Sequence, residues 1–269
     1  MRASFIERTI TSLLETSHFA ATAEQMAGEG GALQRVDPRV KVAGLFGLVF
    51  VVAASRELRV IGTLFGVAVV LAMLSRIPIA RMLAWVWTPV LFFTGAIALP
   101  AIFLTPGRPM AIVGFLTITE QGLRSATFLI SRAETAASLS ALLVLTTPWP
   151  WVLKALRTFK CPVVLVTILG MTYRYIFVIL QTAFEMFESR KSRTVGVLAP
   201  GERRRLAAAA VGVLLSKSLL LSNDVHLAMQ SRGFRGEVHL MQDFRARVSD
   251  WYWVTVFATL AVVCLWWGR

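Results

Sequence analysis

Cysteine is nearly missing from this chain of 269 residues: there are two, Cys161 beside Pro162 and Cys264 in a terminal apolar run. Neither has a partner at metal-ligand spacing, so the sequence encodes no disulfide framework and no zinc site. The three histidines, His18, His226 and His239, stand far apart, which argues the same way against a metal centre. The phosphate loop G-x-x-x-x-G-K-S/T is absent, so the chain is not expected to hydrolyse ATP itself. Carboxylates are scarce, and Glu185 and Glu188 stand among arginines without the clustered acids that a metal-diphosphate transferase needs. The opening residues interleave Glu7, Glu15 and Glu24 with Arg2 and Arg8 and lack the apolar core of a signal peptide, so no cleaved leader is expected. No catalytic, cofactor or metal-ligating residue is nominated.

Charge is also thin, at 16% of residues, whereas 56% are hydrophobic and the mean hydropathy is +0.67. A soluble domain is not built this way, and the apolar stretches recur from Val42 to the C-terminus, so the bilayer is the main solvent. The fold class expected is an all-α integral membrane protein with about five transmembrane helices and a cytoplasmic coupling domain of long amphipathic helices. Residues 1–41 form an N-terminal cytoplasmic segment, 42–146 a bundle of four spans, 147–249 the coupling helices and 250–269 the last span.

Val42 to Ser55 and Val60 to Ser75 are each shorter than the ~20 residues that cross ~30 Å of hydrocarbon, which predicts two short helices or a re-entrant hairpin. Flanking cations, Arg39 and Lys41 before and Arg56 and Arg59 between, can extend such spans by snorkelling. Met82 to Gly107 is uncharged and carries Pro89 and Pro100, so one kinked crossing is expected. A turn follows at Pro106-Gly107-Arg108-Pro109, then a helix from Glu120 to Thr146 that two prolines, Pro148 and Pro150, forbid from continuing. Arg132 lies fifteen residues before Thr147, or ~22 Å along a helix, which puts a cation in the far half of the bilayer. Such a residue either contacts a partner inside the membrane or snorkels or pairs within the bundle.

From 147 to 249 the chain carries 15 basic residues against six acidic. Pro162 to Tyr173 and Leu206 to Ser216 read as too short to cross, and suit helices lying along the inner face with their basic side toward anionic headgroups. Trp251, Tyr252 and Trp253 open the final apolar run and Trp266 and Trp267 close it, two interfacial aromatic belts. The net charge of +13 is concentrated on segments that lie inside if the N-terminus is cytoplasmic, so the positive-inside rule favours five spans in a cytoplasmic (inner) cell membrane, N-in and C-out.

Two copies of Ser-Arg-x-x-Arg stand 42 residues apart: Ser189-Arg190-Lys191-Ser192-Arg193 and Ser231-Arg232-Gly233-Phe234-Arg235. Each ends a long helical segment, from about Pro162 and from about Glu202, with Gly196 and Gly233 as the residues that release the helix. The helix macrodipole explains one terminal arginine without any function. Two matched copies point instead to docking, because a small residue before Arg lets its planar five-donor fork enter a narrow acidic groove.

Taken in order, these motifs resemble the transmembrane T component of energy-coupling-factor ABC transporters, most closely the cobalt-type, CbiQ-like branch. R-V-D-P-R-V-K-V at Arg35 to Val42 is similar to that family's lead-in to the first span. T-T-P, L-K-A-L-R and C-P between Thr146 and Pro162 resemble its first coupling helix and the turn behind it, and Tyr173 to Val178 its R-Y-I-F-V segment. The paired arginine motifs resemble its two coupling-helix signatures, with Ser189 and Ser231 where the family usually has the slightly smaller Ala.

The resemblance implies a non-catalytic scaffold without cofactors. Its partners would be two ATP-binding cassette ATPases beneath the coupling helices, a membrane-embedded substrate-capture subunit, and the lipid bilayer. Arg190 and Arg232 would enter grooves on the two ATPases, and the cargo would be cobalt, with nickel or a vitamin as alternatives. A membrane-tethered basic protein that binds nucleic acid would share the charge, but anionic lipid explains that charge more simply and no nucleic-acid partner is expected.

Overall fold

The computed structural model describes residues 9, 11–12, 30–105, 109–113, 116–194, 199–234 and 248–268. It is helical apart from one short hairpin: α1 Pro38–Ala54, α2 Leu58–Leu74, α3 Ile79–Met82, a π turn Leu83–Trp87, α4 Thr88–Leu104, β1 Pro109–Val113, β2 Leu116–Thr119, α5 Glu120–Thr146, α6 Trp149–Thr158, α7 Val163–Arg193, α8 Pro200–Ser231 and α9 Val248–Trp267. The chain divides into two compact units, one taking in Leu156–Asp243 and the other Glu24–Ala155 with Phe244–Arg269.

In the larger unit α5 packs against α1, α2 and α4, and α9 packs against α1. The spacing of apolar residues produces this. Val42, Leu45, Leu48, Val51 and Val52 form the buried face of α1, and Val60, Ile61, Leu64, Ala68, Leu71 and Ala72 that of α2, both at helical period. Leu139, Leu142 and Leu143 of α5 are buried. The opposite faces expose Phe46, Phe50, Phe92 and Phe93, the distribution of a bundle solvated by lipid. Gly44 lets α9 approach closely, because a Cβ there would overlap the Phe257 ring.

Pro89 explains the π turn. It has no N–H to give to the carbonyl four residues back, and the helix widens in the five residues Leu83–Trp87, where the Thr88 N–H bonds to the Leu83 carbonyl instead. The distortion helps aim Trp87 at α5, whose Ser138 Oγ accepts from its Nε1 at 2.9 Å while Phe65 of α2 stacks at 5.3 Å. Apolar composition gave no sign of the antiparallel β1–β2 pair.

Among the described residues five helices are long and apolar enough to cross a membrane, the number the sequence leads one to expect, though not the same five stretches. They are Ile79–Pro100, Glu120–Thr146, Val163–Arg193, Pro200–Ser231 and Ser249–Trp267. At 17 residues each, α1 and α2 fall short of the requirement, whereas α7 and α8 meet it. The physical reason is that Pro162–Tyr173 and Leu206–Ser216 are not isolated apolar stretches; each continues past a single cation, Arg174 or Lys217, into further apolar residues of a helix of 31 or 32 residues. The protein is a multi-pass membrane protein.

In the smaller unit α7 and α8 run antiparallel. Phe187 near the end of α7 packs on Ala210 near the start of α8, with Phe184, Met186 and Leu206 around them. Toward the other end the two helices part, leaving a groove of about 460 Å³ between the Val164–Ile179 and Ser218–Met229 stretches.

Candidate coupling site

The second arginine motif is a helix stop of a specific kind. Arg232 is the C-cap of α8 and Gly233 follows with φ +78°, the left-handed conformation that glycine adopts without strain. The Gly233 N–H bonds to the Gln230 carbonyl at 3.0 Å and the Phe234 N–H to the Met229 carbonyl at 3.0 Å. Those two bonds form a Schellman motif, and Phe234 and Met229, the apolar pair that accompanies it, both line the groove between α7 and α8. Ser231, Arg232 and Gly233 are exposed. Arg235 lies outside the described residues.

The first copy reaches the same presentation differently. With Lys191 where the second has glycine, α7 runs on through Arg193, and Thr194 caps it in extended conformation. Ser189, Arg190, Lys191 and Arg193 are all exposed in the last turns, where cations favour the negative helix end. Arg190 also borders a small crevice lined by Met186, Phe187, Leu206 and Ala210. Gly196, expected to release this helix, lies outside the described residues.

Because the helices are antiparallel, the two tips are not adjacent. Arg232 ends α8 beside the start of α7, where Val164 shares a groove with Met229 and Phe234, while Arg190 stands near the far end of α7. About 26 residues of helix, or ~39 Å, separate the two levels. The structure thus presents two similar basic tips at opposite ends of one rod.

In the larger unit the isolated cations are engaged within the chain. Arg132 donates from Nη2 to the Ser55 carbonyl at 2.7 Å and lies 4.6 Å from the centre of the Phe128 ring. Lys41 is only 1% exposed, and its Nζ donates to the Thr146 carbonyl at 2.9 Å, so it does not snorkel to the interface as its position before the apolar run suggests. Asp37 accepts from the Arg39 N–H at 2.8 Å, and its own N–H donates to Asp250 Oδ1 at 3.0 Å. Sequence reasoning missed Lys41 and Asp250 because their partners lie 105 and 213 residues away. The available signal was a lysine one turn inside a helix opened by Asp37-Pro38, too deep to be a simple flank. Both carboxylate oxygens of Glu134, one turn before Ser138, are buried without a hydrogen-bond partner among the described residues.

No group of three or more His, Cys, Asp and Glu suited to a metal ion occurs among the described residues. The arrangement among the described residues is one of exposed basic helix tips and internally tied helices.

Residues 30–242 match the family described as CbiQ, cobalt transport protein. A protein of Methanocaldococcus jannaschii described as uncharacterized is 32% identical over 252 residues, covering 91% of this chain and 84% of its own length. The cobalt transport protein CbiQ of Rhodobacter capsulatus is 27% identical over 160 residues, 57% of this chain and 64% of its own length. With its lipid-facing helices and paired arginine tips matched by a family model over most of its length, the chain belongs to the CbiQ cobalt transport protein family, the non-catalytic transmembrane T components of energy-coupling-factor transporters.

Proposed function

We propose that this chain is the coupling scaffold of a cobalt importer, in which Arg190 and Arg232 each dock one ATPase subunit and the membrane bundle holds a separate substrate-capture subunit. The observation that carries the reading is the placement of the tips. Two exposed arginines ~39 Å apart at opposite ends of one antiparallel helix pair suit two separate partner molecules better than a single acidic groove. At each tip a small residue, Ser189 or Ser231, precedes the arginine and leaves room for the partner's wall. Flanking cations, Lys191 and Arg193 on one side and Arg235 on the other, add attraction to an acidic surface.

On this reading α7 and α8, although long and apolar enough to cross a membrane, lie on the cytoplasmic side, where their many cations belong, and the N-terminus is inside. ATP-driven closure of the ATPase pair brings the two tips' partners together and thereby strains the rod that separates them. That strain is the differential free energy that shifts the bundle between two arrangements and releases the capture subunit's cargo. Cobalt as cargo follows the description of the family and of the Rhodobacter capsulatus relative.

The test is uptake by cells that express the chain with its ATPases and capture subunit. Arg190→Ala and Arg232→Ala are each expected to lose one ATPase on purification and to abolish radiolabelled cobalt uptake, with membrane insertion unchanged. Full ATPase retention and normal uptake by the double variant would reduce the arginines to helix caps. Uptake of nickel in place of cobalt would change the cargo and leave the scaffold reading intact.

A further inference from the structure

Two cations of the larger unit, buried Lys41 and half-buried Arg132, form a matched pair. Lys41, in the first turn of α1, donates to the carbonyl of Thr146, the last residue of α5. Arg132, on α5, donates to the carbonyl of Ser55, the C-cap of α1. Each helix therefore supplies a cation to the negative end of the other. The spacing is equal on both sides: Lys41 and Ser55 are fourteen residues apart, and so are Arg132 and Thr146, about 21 Å of helix in each case. Equal lengths mean that both contacts are satisfied in one antiparallel register, and that a slip of one turn, ~5.4 Å, breaks both at once.

The ties extend to α9. At the lysine end, Asp250 accepts from the Asp37 N–H at 3.0 Å; at the arginine end, the Arg56 N–H donates to the Gly268 carbonyl at 3.4 Å. Between the ends the buried face of α1 is apolar, Val42, Leu45, Leu48, Val51 and Val52, with Gly44 against Phe257 of α9. Apolar packing in a bilayer does not oppose sliding strongly, because lipid tails satisfy the same surface. Polar contacts at the two ends do oppose it, since a displaced ammonium or guanidinium would be left buried without an acceptor.

We propose that Lys41 and Arg132 are reciprocal end clamps that lock α1 and α5 into one rigid pillar, and that Lys41 is the positioning residue at the point where force enters it. Thr146 is followed directly by Thr147-Pro148 and then α6, so the carbonyl that Lys41 holds is the end of α5 from which α6 leads on to the smaller unit. A pull arriving along α6 moves the pillar as a body when the clamp is closed, and only draws out the end of α5 when it is open. This proposal rests on the chain's role in transmitting motion from ATPases.

The test uses the complete reconstituted transporter in proteoliposomes, with ATP hydrolysis and metal uptake measured on the same preparation. Lys41→Met is expected to keep its ATPases and hydrolyse ATP while uptake per ATP falls about fivefold or more, and Lys41→Arg to restore most of it. Arg190→Ala, which removes an ATPase, lowers hydrolysis and uptake together, so a failure of docking and a failure of the clamp give different patterns. Wild-type uptake per ATP in Lys41→Met overturns the proposal.

If Lys41→Met does not insert, a measurement on the intact clamp decides. Spin labels are placed at Phe50 and Val144, 71% and 58% exposed, in a background with Cys161→Ser and Cys264→Ala. Their distance is compared in the nucleotide-free and ATP-trapped complex. A rigid pillar holds it constant to within ~1–2 Å, and a larger change overturns the proposal.

Discussion

Gly233→Ala isolates the second docking tip from everything around it. Gly233 has φ +78°, and nothing among the described residues lies within 4 Å of where a Cβ would stand, so the substitution costs backbone conformation without steric overlap against them. An L-residue in the left-handed region is disfavoured by about 1–2 kcal/mol relative to glycine. The alternative is to leave that region, which breaks the Gly233 N–H and Phe234 N–H bonds to Gln230 and Met229 and frees Phe234 from the groove. Either way the tip that presents Arg232 is populated less, and 1–2 kcal/mol corresponds to about a 5- to 30-fold change in an equilibrium constant.

The assay is the affinity of the detergent-solubilised chain for its ATPase, measured with Arg190 replaced by alanine so that the second tip alone is read. Gly233→Ala is expected to weaken it within that range. Gly233→Asn, which tolerates the left-handed region better, should fall between alanine and wild type. Lys191→Ala, tested with Arg232 replaced instead, should show no such backbone effect, since α7 is regular helix there. Equal affinity for glycine, asparagine and alanine at position 233 would refute the claim that the cap geometry presents the arginine.

Three further outcomes follow from the larger unit. Gly44→Leu forces α9 away from α1 at Phe257 and should lower the detergent melting temperature, with an overpacking cost of about 1–3 kcal/mol. Trp87→Phe removes the bond to Ser138 and should destabilise by about 1 kcal/mol in the same assay, with Ser138→Ala in that background adding little. Glu134→Gln replaces a carboxylate without a partner among the described residues by a neutral amide of the same shape, and should leave the melting temperature unchanged or raise it.

What could be read from the sequence was whatever is local. The stop of α5 at Thr146 was legible because Pro148 and Pro150 forbid continuation, and α7 and α8 could be placed because their arginine motifs close long runs. The π turn was half legible: Pro89 announced a distortion but not its form. That α7 and α8 are long and apolar enough to cross a membrane was not legible from Pro162–Tyr173 and Leu206–Ser216 alone, because each helix runs on past the cation, Arg174 or Lys217, that ends the stretch. Lys41 and Arg132 could be noticed as odd cations, but the carbonyls they bind belong to distant helices, and no local pattern names a backbone acceptor. That the two arginine tips lie at opposite ends of a rod emerged only once α7 and α8 were seen to pack antiparallel.

The most direct test of the central claim is stoichiometry. Native mass spectrometry of the complex, released from detergent with its ATPases bound, should show two ATPases on the wild-type chain, one on Arg190→Ala, one on Arg232→Ala and none on the double variant. Two ATPases retained by the double variant would contradict the account.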